Sequence, residues 1–116
     1  MERKSTKLLE DSRDAAAFIR QVTTNKTLDD YRSDRLLRQA VERNFEIIGE
    51  AVGRLAKVDP TTAAKIGKYQ QIISFRNVLI HGYDLIDEAH VWEVIRTNLP
   101  TLEAEVIALL ADAAVE

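Results

Sequence analysis

The stretch "DRLLRQAVERNFEIIGEAVGRLAK", residues 34–57, sets Leu37, Val41, Ile48, Val52 and Leu55 at three- and four-residue steps. That is the period of an α-helix with one buried side, sustained for about six turns. Nowhere does the chain offer a sustained alternation of polar and apolar residues that would mark a half-buried strand. The long helix is therefore the backbone of the fold, and other helices must cover its stripe.

They can be read on either side of it. Leu8, Leu9, Ala15, Ala16, Phe18, Ile19 and Val22 make an amphipathic first helix over residues 5–24, ended near Thr24-Asn25, where Asn tolerates the left-handed cap. Thr27 and Asp30 form a capping box ahead of "LDDYRS". Asp59-Pro60 stops the long helix, and a third main helix runs over 69–81 with Gly82 placed to be its C′ residue, the usual left-handed cap. Asp87 is a good N-cap for a last helix, which Pro100 kinks or divides. The expected architecture is all-α, an up-and-down bundle of four to five helices forming a single domain over 1–116.

Two features of the long helix carry expectations of their own. Gly49 and Gly53 lie one turn apart, and since Gly costs a helix interior about 1 kcal/mol against Ala, the pair suggests a notch for a close neighbour. On its polar side, Arg38 with Glu42 and Glu50 with Arg54 have the spacing of ion pairs one turn apart.

The formal charge of −3 excludes a protein that coats nucleic acid by charge alone, but leaves room for one that holds a single phosphate locally. With no cysteine there is no thiolate metal site and no cysteine nucleophile. No apolar run approaches the roughly 20 residues of a membrane span, so the expected setting is the cytoplasm, away from membranes.

Against this background "ISFRNVLIHGYD", residues 73–84, stands out as an apolar run with Arg76, Asn77 and His81 set into it. On a helix Asn77 and His81 are one turn apart, and Arg76 is about 100° round from Asn77. Such groups must face a cleft, a partner or one another, because burying them unpaired is costly. The plain structural alternative has Arg76 pairing with Glu46 or Glu50 while His81 sits at the negative end of the helix dipole. Asp84 could orient His81 or Arg76. The His and acidic residues of "HGYDLIDEAH" could be considered as metal ligands, but Asp87 serves better as an N-cap and no metal or other cofactor is expected.

The residues "RNVLIHGY" carry a resemblance: they match the Arg-x4-His-x-Tyr motif of HepT-like toxins in the HEPN superfamily of small helical ribonucleases. "AVERNFEIIGEAVGRL" and "VWEVIRTNLPTLEAEVIALL" resemble that family's other recurrent stretches, so the resemblance spans nearly the whole chain. One departure is Lys68-Tyr69, where these proteins often have a Pro-Trp pair.

The resemblance implies metal-independent RNA cleavage, with Arg76 and His81 as the catalytic pair and Asn77 as the polar residue that follows the Arg. The chemistry suits the residue types. An imidazole can take the proton from a ribose 2′-hydroxyl near neutrality, and a guanidinium offers two parallel hydrogen bonds to a phosphorane-like transition state. A single Arg and His make a sparse site, so a homodimer with both copies facing one groove is expected. By the same resemblance, a minimal nucleotidyltransferase antitoxin partners the toxin and transfers AMP to Tyr83. Lys65, Lys68 and Arg96 are candidates for gripping the RNA. The competing reading is a catalytically silent helical module that docks the nucleotidyltransferase.

Overall fold

Helix α3, Arg35–Val58, runs through the centre of the computed structural model, which describes residues 1–115. It buries Leu37, Val41, Phe45, Ile48, Ala51, Val52 and Leu55, the sequence stripe widened by Phe45 and Ala51. The Asp34 carboxylate opens it by accepting the Leu37 N–H at 3.1 Å. Helix α1, Arg3–Thr23, packs along α3 and also against α7, Leu99–Val115. Between them lie the short α2, Leu28–Ser33, and α4, Pro60–Ala63, then α5, Tyr69–His81, and α6, Glu88–Glu93. The described residues form an all-α bundle, and none of its helices is long and apolar enough to cross a membrane.

The breaks between helices follow their local chemistry. Asn25 takes φ 62°, letting the chain reverse after α1. The capping box forms in both directions: Asp30 N–H donates to Thr27 Oγ1 at 3.1 Å and Thr27 N–H to Asp30 Oδ2 at 2.9 Å. After α3, Asp59 turns outward and Pro60 starts α4, where its missing N–H costs nothing. The Asp59 carboxylate accepts the Thr62 hydroxyl at 2.7 Å and the Ser5 hydroxyl at 2.9 Å, tying this corner to the start of α1. Those donors, the Thr62 hydroxyl foremost, hold the Asp59 carboxyl below its ordinary range.

Two local expectations need correction. Arg38 does not pair with Glu42; its guanidinium donates to the Tyr31 carbonyl at 3.4 Å and to the Arg32 carbonyl, satisfying the end of α2. Gly82 does not adopt a left-handed cap: its φ is −113°, and α5 runs on into a 3₁₀ turn at Tyr83–Leu85. As expected for Pro100, the last helix is divided: the turn before the proline widens and separates α6 from α7. Leu99 N–H reaches back five residues to the Val94 carbonyl, making Val94–Asn98 a π-turn between α6 and α7. That widening accommodates a ring with no N–H that would press on the carbonyl four residues back.

Buried hydroxyls are satisfied, Ser5 and Thr62 by Asp59, Ser12 by the Leu8 carbonyl at 3.0 Å and Thr23 by that of Ile19 at 2.7 Å. Tyr31 is the exception. Its side chain is fully buried with its ring 5.6 Å from Trp92, its hydroxyl has no partner, and burial pushes the phenol pKa up. Replacing a buried unsatisfied hydroxyl by hydrogen removes a desolvation cost. Tyr31→Phe should therefore raise the unfolding free energy by about 1 kcal/mol in a urea titration; a loss of stability would show that the hydroxyl is bonded in solution.

Helix α5 is attached differently from the others. It packs on α3, and Leu79 is its one fully buried residue among those described. Between α5 and the α6–α7 arm a cleft of about 430 Å³ remains, walled by Phe45, Ile48, Ile72, Phe75 and Val94.

Candidate active site

The approach of α5 to α3 decides where Arg76 goes. Arg76 crosses α3 at Gly49: a methyl group built onto Gly49 would overlap the Arg76 Cβ and stand 2.7 Å from its Cγ. The notch inferred from the glycine pair is thus present at Gly49. It does not extend to Gly53, whose added methyl would meet only Ile73 Cγ1, at an ordinary 3.9 Å.

From that crossing the guanidinium donates through Nη1 to the Asn77 carboxamide oxygen at 3.1 Å, while its Nε is buried without a hydrogen-bond partner. The expected pairing with Glu46 or Glu50 does not occur. Glu50 is bound by Arg54 at 2.7 Å and Glu46 lies 3.7 Å from Arg43, so both carboxylates are engaged by nearer cations of their own helix. The signal was legible in the spacing, since i,i+3 and i,i+4 partners need no second helix to meet. Among the described residues Arg76 has no carboxylate partner, so its positive charge is not neutralised within the chain.

Asn77 and His81 are exposed, one turn apart on α5, and His81 is the helix's last residue. Tyr83 follows in the 3₁₀ turn, 77% exposed. Asp84 is also exposed and makes no hydrogen bond or ion pair to His81 or Arg76. The structure therefore brings Arg76 and Asn77 into direct contact, with His81 one turn along α5 from Asn77 and Asp84 bonded to neither cation.

The candidate RNA-gripping residues are scattered. Lys65 and Lys68 are exposed near the start of α5, and thirteen residues of helix put Lys68 about 20 Å from His81 along its axis. Arg96 is exposed on the π-turn. His90 lies edge-on to Phe75, ring centres 5.8 Å apart. Phe75 belongs to the cleft beside α6–α7 and stands about 200° round α5 from Asn77. That cleft and the polar constellation thus occupy opposite flanks of one helix.

A half-buried, unneutralised guanidinium, with an exposed imidazole little more than one turn along the same helix, can hold an anionic group and exchange a proton with something bound there. Residues 12–109 match the family described as ribonuclease HepT-like. The chain belongs to the HepT-like family.

The HepT-like chain is 30% identical over 95 residues to a Methanocaldococcus jannaschii protein described as a gamma-glutamylcyclotransferase and candidate RNase, covering 82% of this chain and 42% of that protein. It therefore spans less than half the length of that relative. It is 34% identical over 84 residues to a candidate RNase of Caldanaerobacter subterraneus subsp. tengcongensis, covering 72% and 74% of the two chains. A Thermococcus cleftensis protein named a probable ribonuclease HepT is 28% identical over 105 residues, covering 90% of this chain and 94% of its own. No solved structure matches. The family match takes in both the α3 stretch that carries Gly49 and the α5 motif.

Proposed function

We propose that this HepT-like chain is an endoribonuclease that cleaves RNA without a metal ion, acts as a homodimer, and serves as the toxin of a pair with a nucleotidyltransferase antitoxin. The observation that carries this reading is the Arg76 guanidinium. It is seated on Gly49, braced by Asn77 and left without a carboxylate, one turn and a little more from His81.

In the proposed reaction His81 takes the proton from a ribose 2′-hydroxyl. The 2′-oxygen forms a bond to phosphorus, the bond to the 5′-oxygen breaks, and the leaving oxygen takes up a proton from an acid on the opposite side. Arg76 holds the non-bridging oxygens as charge accumulates on them. The products are a 2′,3′-cyclic phosphate and a 5′-hydroxyl. A single subunit offers no obvious second acid among these residues. The outer face of α5 supports dimerisation, since Val78 and Ile80 are 46% and 37% exposed and Leu85 follows at 77%. A second copy on that face brings a second imidazole to the groove.

The test is incubation of the purified chain with a mixed RNA substrate in excess EDTA, followed by analysis of the product ends. Cleavage leaving cyclic phosphates supports the metal-free mechanism. An intact substrate with a dimeric, unmodified protein would favour the docking module instead, a reading that the exposed Tyr83 and Leu85 also suit.

Exposure of Tyr83 supports a modification site as well. The phenolic oxygen would attack the α-phosphorus of ATP, with pyrophosphate leaving, and the resulting AMP would place negative charge two residues from His81, where substrate phosphate is to bind. Tyr83→Phe should stay folded and active but escape neutralisation when co-expressed with the nucleotidyltransferase. Intact-protein mass spectrometry that finds AMP on the Phe variant would move the modification elsewhere.

A further inference from the structure

Glycine in the middle of a 24-residue helix needs a reason, because it costs about 1 kcal/mol relative to alanine. At Gly53 the structure gives none, for the space beside it is ordinary. At Gly49 the reason is specific. The Arg76 Cβ and Cγ occupy the volume that any larger residue would fill, and the Ile72 carbonyl stands 3.4 Å from the same point. Gly49 therefore sets how closely α5 approaches α3 where Arg76 leaves its helix. That approach buries Nε and determines where the guanidinium emerges beside Asn77.

We infer that Gly49 is a positioning residue for RNA cleavage, acting through Arg76: it lets the first two side-chain carbons of Arg76 lie against α3, so that the guanidinium stands at a fixed height above Asn77 and His81. The inference rests on the ribonuclease reading. A methyl group at Gly49 cannot be accommodated by turning a flexible side-chain end, because its nearest neighbour is the Arg76 Cβ, which moves only with the backbone. Helix α5 must shift outward, carrying the guanidinium with it. A displacement of about 1 Å at a reacting centre can cost about 10²-fold in rate.

The experiment compares kcat and KM for RNA cleavage by the parent, Gly49→Ala and Gly53→Ala, with helicity checked by circular dichroism. Gly49→Ala should lose about 10²-fold in kcat with KM little changed, and Gly53→Ala should keep the parental kcat. A second comparison uses Arg76→Gly and Arg76→Gly/Gly49→Ala, assayed with free guanidinium ion at a sub-denaturing concentration. With no Cβ left at position 76, the added methyl has space, so both proteins should recover the same rate. Should Gly49→Ala fail to fold, the pair still tests whether its methyl acts through Arg76, since any drop in the rescued rate of the double variant would overturn the inference.

A folded Gly49→Ala protein with parental kcat would overturn the inference while leaving the ribonuclease reading intact. So would a rescued rate that Gly49→Ala lowers as much as it lowers the parent's, since Gly49 would then act through something other than Arg76. A parent that cleaves no RNA removes the ribonuclease reading itself, and that outcome is visible before any variant is made.

Discussion

Arg76→Ala is expected to lower RNA cleavage by about 10²- to 10³-fold at saturating substrate, the loss typical when a charge-stabilising donor is removed from a reaction centre. His81→Ala should cost about 10²- to 10⁴-fold, the range for a positioned general base. Both proteins should keep the parental helicity, and an unfolding free energy within about 1 kcal/mol of the parent's. His81 is an exposed helix terminus, and the buried Arg76 stem is replaced by a residue that retains the Cβ packed at Gly49. The discriminating readout is single-turnover cleavage in EDTA with the fold monitored in parallel. Should either variant cleave at the parental rate, that residue is not catalytic. A variant that loses activity and structure together would show that the constellation supports the fold.

The second large effect concerns assembly. Val78 lies on the outer face of α5, 46% exposed in the single chain, and would be covered when a second copy packs there. Val78→Asp then buries an unpaired carboxylate, a cost of about 3 kcal/mol or more, equivalent to at least about a hundredfold in the dimer dissociation constant. The substitution touches no fully buried position of the single chain, so the helical signal and thermal midpoint of the monomer should persist. Sedimentation velocity at micromolar concentration should show the parent as a dimer and the variant as a monomer, with cleavage falling in proportion to the dimer lost. A variant that remains dimeric would place the interface on another face; a fully active monomer would remove the need for a shared groove.

Helix limits were legible wherever one local interaction decides them. The Thr27 and Asp30 box, the Asp59-Pro60 stop and the Asp87 cap, whose carboxylate accepts the Ala89 N–H at 3.0 Å, all work through side chains two or three residues away. The span of α5 could be read for a similar reason, since the motif it carries ends where the helix does. What could not be read is which of two equivalent positions the fold uses. Gly49 and Gly53 look alike in sequence, and the crossing of α5 alone makes the first indispensable and the second ordinary. Likewise Arg38 could serve Glu42 or the carbonyls ending α2, and Pro100 could bend its helix or widen it. Each choice depends on tertiary packing rather than spacing.

The same limit applies to the site. Arg76, Asn77 and His81 were visible as a group because polar residues in an apolar run need an explanation. The partner expected for Arg76 was wrong because Arg43 and Arg54 reach Glu46 and Glu50 from within α3. Those two pairs matter at the site by what they withhold: they keep the nearest α3 carboxylates occupied, so the guanidinium is not neutralised by its own chain.

The attachment of α5 chiefly to α3 has an evolutionary consequence. The frame formed by α1, α3 and α7 closes its own core and is tied across by Arg20 and Glu103 at 3.0 Å. Substitutions on the outer side of α5 therefore leave that frame unstrained. A lineage can alter what the chain binds through changes on one helical face, while the frame tolerates them and Gly49 holds the arginine in register.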